Sequence, residues 1–253
     1  MIDTHCHLTD PRLAGQLPDV LERARAAGVH RMVTIGTSPE EWDSALELCR
    51  ANSHIRCAIG VHPNNAAEVG EGWEKTLAEK IGEPVVAAVG EMGLDYHYDH
   101  SPRELQREFF QRQLTIAVGV NLPVIIHSRE SVDDCLAVMK DFPVCAAVFH
   151  CFTGTMAEAE KILAAGYWLG FTGVVTFKKT EELRQIAKMT PADRLMVETD
   201  SPYLSPEPKR GQKINEPALV MYVAAAVAAA RGMSVQELDR LTTANAGRFF
   251  RWA

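Results

Sequence analysis

Short apolar runs rich in β-branched residues alternate along the chain with longer stretches that carry an apolar residue every three or four positions. The runs fall at residues 2–7, 31–35, 56–61, 85–89, 123–127, 146–150, 167–171 and 195–199, and they predict strands. Amphipathic stretches at 17–27, 40–51, 103–118 and 156–165 predict helices between them. Ser38 followed by Pro39, Glu40 and Glu41 marks a helix start, and Gly28, Gly119 and Gly166 mark stops.

Strands alternating with helices imply a parallel sheet. Eight such units in 253 residues is the size of a (β/α)8 TIM barrel. An open doubly wound sheet is the alternative, but it usually carries a Gly-rich loop after its first strand. Here that strand is followed by Leu8, Thr9, Asp10 and Pro11. With no linker or low-complexity run, residues 1–253 are expected to form one α/β barrel domain.

Composition narrows the classes. At 47% hydrophobic and 23% charged residues, the chain has material for a core and lacks the profile of disorder. With 33 acidic against 26 basic residues, the net charge of -7 disfavours broad non-specific duplex binding. The six cysteines form no C-x-x-C pair and read as reduced thiols of a cytoplasmic protein. The N-terminal residues lack a signal-peptide pattern. The Ala-rich stretch 218–230 is shorter than the roughly 20 residues needed to cross a bilayer. No membrane and no obligate protein partner are expected.

The first strand reads Asp3-Thr4-His5-Cys6-His7. Alternation places Asp3, His5 and His7 on one face, where two imidazoles can share one ion; two hydrogen-bonded core histidines would look the same. Other strands also end in metal-capable residues: Glu91, His127, His150 and Asp200. A barrel enzyme builds its site from such strand ends. Four imidazoles and two carboxylates are about the ligand count for two ions.

These residues sit in ordered motifs: D-T-H-C-H, G-V-H-P, G-E-M-G-L-D-Y, I-I-H-S-R, F-H-C-F-T-G, V-E-T-D-S-P-Y-L and R-G-Q-K-I-N-E-P, then T-x-x-N at Thr242–Asn245. Together they resemble the TatD family of metal-dependent hydrolases. The resemblance implies a TIM barrel of the amidohydrolase-like group, a metal-dependent deoxyribonuclease and two divalent ions. It implies that His5 and His7 bind one ion, that Glu91 bridges both, and that His127 and His150 bind the second. Asp200 would complete the first site and handle the proton. Single-stranded DNA or DNA ends would be the substrate, degraded in the 3′ to 5′ sense.

The residues add a reaction class. Related barrels that cleave amides or lactones often bridge their metals with a carboxylated lysine, but no lysine lies between Lys80 and Lys140. A carboxylate bridge suits a two-metal phosphoesterase. Four imidazoles favour zinc, while phosphoester chemistry favours magnesium or manganese. Arg129, read as lying in a loop, can bind phosphate, and His62 can contact substrate. Asp3 and Asp95 are expected to fix imidazole tautomers, and Glu198 to lie one layer deeper. Lys209, Arg210 and Lys213 make one loop basic, and Phe152, Phe177 and Tyr203 sit in loops where an aromatic stacks on a base or anchors the loop. Hydrolysis of another bond (an amide, a lactone or a D-aminoacyl-tRNA ester) and a non-enzymatic metal or nucleic-acid binder are the competing readings.

Overall fold

Each of the eight β-branched runs forms a strand. The computed structural model describes residues 1–98 and 100–252. The strands are β1 (Ile2–Cys6), β2 (Arg31–Gly36), β3 (Ile55–Ile59), β4 (Val86–Asp95), β5 (Val124–Arg129), β6 (Ala147–Phe149), β7 (Trp168–Phe171) and β8 (Leu195–Val197). The helices are α1 (Pro11–Ala14), α2 (Leu17–Ala26), α3 (Pro39–Ala51), α4 (Trp73–Lys80), α5 (Arg103–Val120), α6 (Val132–Met139), α7 (Met156–Ala164), α8 (Glu181–Met189), α9 (Val220–Arg231) and α10 (Val235–Phe249). The strands make one parallel sheet in chain order, with the alternation of a (β/α)8 barrel. Among the described residues, no single helix is long and apolar enough to cross a membrane.

The chain divides into two compact units. One comprises Met1–Thr34 with Cys151–Ala253, the other Ile35–His150. In the first, β1 pairs with β2 and β7 with β8, and a bridge joins Cys6 to Ser201. Capping boxes start α7 at Thr155/Glu158 and α10 at Ser234/Glu237. Asn245 of α10 is buried and donates to the carbonyls of Ala192 and Leu195, both at 2.8 Å, pinning the start of β8. The Ala-rich stretch is α9, whose Val220, Val223, Ala224, Val227 and Ala228 are buried.

In the second unit, β3, β4, β5 and β6 pair in succession. Several boundaries differ from the sequence reading. The apolar run of the fourth strand stops at Val89, yet β4 runs through Asp95 and pairs Met92 with Ile126 and Asp95 with Arg129. A register shift between Val89 and Met92 absorbs the glycine-rich stretch, so its glycines mark an irregular strand rather than a turn. Helix α5 passes the expected stop at Gly119 and ends at Asn121, which takes the left-handed conformation at φ 55°. Its buried face carries Phe109, Phe110, Leu114 and Ala117, and also Gln106 and Gln113. Burying each large apolar side chain contributes about 1.5–3 kcal/mol.

Candidate metal centre

The first unit gathers three ligand-type side chains. His5 Nε2 lies 3.7 Å and His7 Nε2 3.3 Å from the same oxygen, Asp200 Oδ1. The strand end explains the convergence. His5 leaves the buried face of β1, and His7 follows it by one pleat. The Asp200 amide donates to the His5 carbonyl at 2.9 Å, and the His7 amide donates to the Ser201 carbonyl at 2.7 Å. Asp200 has φ 55°, which turns the chain back after β8. Asn215 supports that turn by donating to the carbonyls of Thr199 (3.0 Å) and Tyr203 (2.6 Å).

Two further carboxylates lie beneath this group. Asp3 accepts from the Thr199 amide (2.9 Å), the Thr199 hydroxyl (2.6 Å) and the His5 amide (3.4 Å). It braces main chain, where tautomer control was the expectation. Burial raises its carboxyl to about 7, and the charge of Glu198 adds to the rise. Glu198 accepts from the Cys151 amide at 2.6 Å and the Thr4 hydroxyl at 3.1 Å. It sits against Gly170, where a Cβ would stand 2.7 Å from the carboxylate.

The second unit gathers a group around one oxygen. Glu91 Oε1 lies 2.8 Å from His127 Nδ1, 2.5 Å from His150 Nε2 and 3.5 Å from His62 Nε2. The other His127 nitrogen, Nε2, is 3.0 Å from Asp95 Oδ2. Asp95 also accepts from the amides of His97 (3.0 Å) and Tyr98 (3.1 Å), so it is well fixed. Burial opposes charge on His127, but Asp95 and Glu91 outweigh it and raise the imidazole to about 9. Glu91 pays burial's penalty too, yet His150, His62 and His127 hold it well below the usual carboxylate range.

The donor chemistry fits a divalent ion. A neutral imidazole has one N–H, so His127 can donate to only one of its two carboxylates. With that N–H donated from Nε2 to Asp95, the Nδ1 lone pair faces Glu91, an arrangement that needs a proton or a cation. Imidazole and carboxylate donors are those of zinc and other divalent ions. His5, His7 and Asp200 offer ligand atoms within 4.8 Å of one another, as do His62, Glu91 and His127.

His62 differs from the others. Its Nδ1 accepts from the Asn64 amide at 3.1 Å, which leaves the proton of the neutral ring on Nε2. Burial, then the neighbouring His127, lower its pKa to about 3. It is thus poised as a neutral donor. Arg129 ends β5 rather than sitting in a loop, is exposed, and lays its guanidinium 4.8 Å over the Tyr98 ring.

Sequence reasoning missed three supporting amides. Gln106 and Gln113 lie seven apart on the buried face of α5 and bond the main chain of Asp95 and of Val61, the neighbour of His62. Polar residues in phase with Phe109 and Phe110 were the available signal. For Asn215 the available signal was its place in the R-G-Q-K-I-N-E-P motif.

The family model described as TatD related DNase matches residues 2–251. The chain is similar to the uncharacterized metal-dependent hydrolase YabD of Bacillus subtilis, 39% identical with 99% of each chain covered. It is similar to the 3'-5' ssDNA/RNA exonuclease TatD of Erwinia tasmaniensis, 37% identical with 99% of each chain covered. Among solved structures, the TatD homolog YjjV of Escherichia coli superposes with a TM-score of 0.95 at 29% identity, covering 100% of this chain and 98% of that one.

Proposed function

Because the chain belongs to the TatD-related family of metal-dependent hydrolases, we propose that it is a deoxyribonuclease that hydrolyses phosphodiester bonds, acting as a 3′ to 5′ exonuclease on single strands or ends. The supporting observation is the Glu91 carboxylate within 2.8 Å of His127 and 2.5 Å of His150. It stands where amide-cleaving relatives place a carboxylated lysine. The exonuclease name of the Erwinia relative points the same way.

We assign one divalent ion to His5, His7 and Asp200, and a second to Glu91, His127 and His150. Magnesium, manganese and zinc are the candidates. When bound, such ions supply Lewis acidity, which acidifies water and offsets phosphate charge. The protein's own groups do the rest. Asp200 takes the proton of the water that attacks phosphorus, and the 3′-oxygen leaves. His62 Nε2–H donates to a non-bridging oxygen, and Arg129 holds a neighbouring phosphate through its guanidinium. Asp95 keeps His127 oriented. Six free cysteines suit a reducing compartment, and we assign the cytoplasm.

The test is product analysis on a labelled single strand. Free nucleotides should appear with a divalent ion and vanish with chelator. Asp200→Asn should keep strand binding and lower kcat more than about 100-fold. Persistent cleavage after complete metal removal, or an intact strand that has only lost an acyl group, overturns the reading.

A further inference from the structure

Tyr203 is a large apolar ring that the fold holds rigidly and leaves 46% exposed. Its main chain is pinned on both sides. The amide donates to the Asp200 carbonyl at 2.9 Å, and the carbonyl accepts from Asn215 Nδ2 at 2.6 Å. The ring therefore keeps a fixed relation to the Asp200 turn. It meets the His7 imidazole edge to face, with centroids 5.8 Å apart.

One face of the ring is braced. The Arg12 guanidinium lies 4.4 Å over its centroid. That guanidinium is itself held, with Nε 2.9 Å from Asp10 Oδ1 and Nη2 2.7 Å from Asp10 Oδ2. Asp10 in turn caps α1 by accepting from the Arg12 amide at 2.8 Å. Arg12 thus gives its Nε and Nη2 to Asp10 and its flat face to Tyr203. It holds the ring.

A side chain that only anchored its loop would bury its ring, and the loop is already anchored by Asp200 and Asn215. We propose that Tyr203, steadied by Arg12, is a stacking platform for a nucleobase of the strand whose phosphodiester is held at His7 and Asp200. This rests on the nuclease reading and deepens it to a base-binding subsite. Stacking accepts every base because each has a π-face, so the platform grips a strand without reading its sequence. It also suits single strands, whose bases are free to leave a duplex stack.

The experiment compares two short oligothymidylates, one intact and one whose three 3′-terminal residues are abasic. With wild-type protein, removing the bases should lower kcat/KM roughly 5- to 150-fold, the range of base–aromatic stacking. With Tyr203→Leu the same removal should change kcat/KM less than about 3-fold, and Tyr203→Trp should restore the full base effect. A base effect in Tyr203→Leu equal to that of wild type overturns the platform while leaving the nuclease reading intact. If wild type cleaves neither strand, the nuclease reading fails. Fluorescence anisotropy with the same strands then decides the platform: a Kd for the intact strand that Tyr203→Leu does not raise, or no binding to wild type at all, overturns it.

Discussion

Gln106 grips Asp95 by its main chain on both sides. The Gln106 carboxamide oxygen accepts from the Asp95 amide at 2.8 Å, and its nitrogen donates to the Asp95 carbonyl at 3.0 Å. The side chain stands in for a neighbouring strand at the end of β4. It also donates to the Ser101 carbonyl at 2.9 Å. Gln106→Leu keeps the volume but leaves these buried groups unmatched. It should cost about 2–4 kcal/mol of stability, read from the urea midpoint. A loss below about 0.5 kcal/mol would show that water replaces the amide at no cost.

The strand ends were legible for a physical reason. A buried strand offers few places for an imidazole or carboxylate, so His5, His127, His150 and Asp200 stand out against the apolar runs before them. Glu91 stood out too, just past the apolar run that stops at Val89. Glycines at 90 and 93 interrupt that run, and here they let an irregular β4 continue to Asp95. Arg129 was misplaced for the same reason, since β5 lengthens to match β4. Gln106 and Gln113 showed only through their phase with Phe109 and Phe110, because a glutamine in an amphipathic helix reads as solvent-facing until its partner is known. Asp3 illustrates the remaining gap: the sequence placed it on the imidazole face, but its oxygens go to the main chain of His5 and to Thr199.

We assign to Asp95 the choice of the nitrogen that carries the proton when the His127 ring is neutral. The 3.0 Å contact at Nε2 leaves Nδ1 directed at Glu91, 2.8 Å away. Asp95→Asn weakens that bias because an amide can donate as well as accept. Zinc affinity at this group should fall about 10- to 100-fold, measured by titration calorimetry. The fold should be little changed by circular dichroism. Equal affinity in the variant would remove Asp95 from its orienting role.

Gly93 tests the register of β4 against β5. It sits at φ 140°, where L side chains are rarely found, and a Cβ there would lie 2.0 Å from the His127 carbonyl oxygen. The obstacle is backbone, so no rotamer relieves it. Gly93→Ala should destabilise the protein by more than about 3 kcal/mol. Where soluble protein is recovered, metal binding through His127 should weaken with it. A melting curve matching wild type would mean that β4 moves aside freely and that the close pairing of Gly93 with His127 does not set the site.

Metal binding should also be visible in stability, independently of catalysis. His5 and Glu91 are buried, and each faces groups whose charges an ion would balance. A ligand that binds only the folded state stabilises it by about 2.7 kcal/mol at a hundredfold excess over Kd. For a chain of this length that corresponds to a melting shift of roughly 5–10 °C. Chelator should lower the melting temperature by this amount, and adding back zinc or manganese should restore it. Glu91→Gln removes the anion that draws three imidazoles together, so the variant should lose most of the metal-induced shift. It should also relieve the charge demand on His127, so its chelated form should melt within a few degrees of chelated wild type. If the variant keeps the whole shift, the ions bind elsewhere, and the Glu91 carboxylate is a structural acid rather than a ligand.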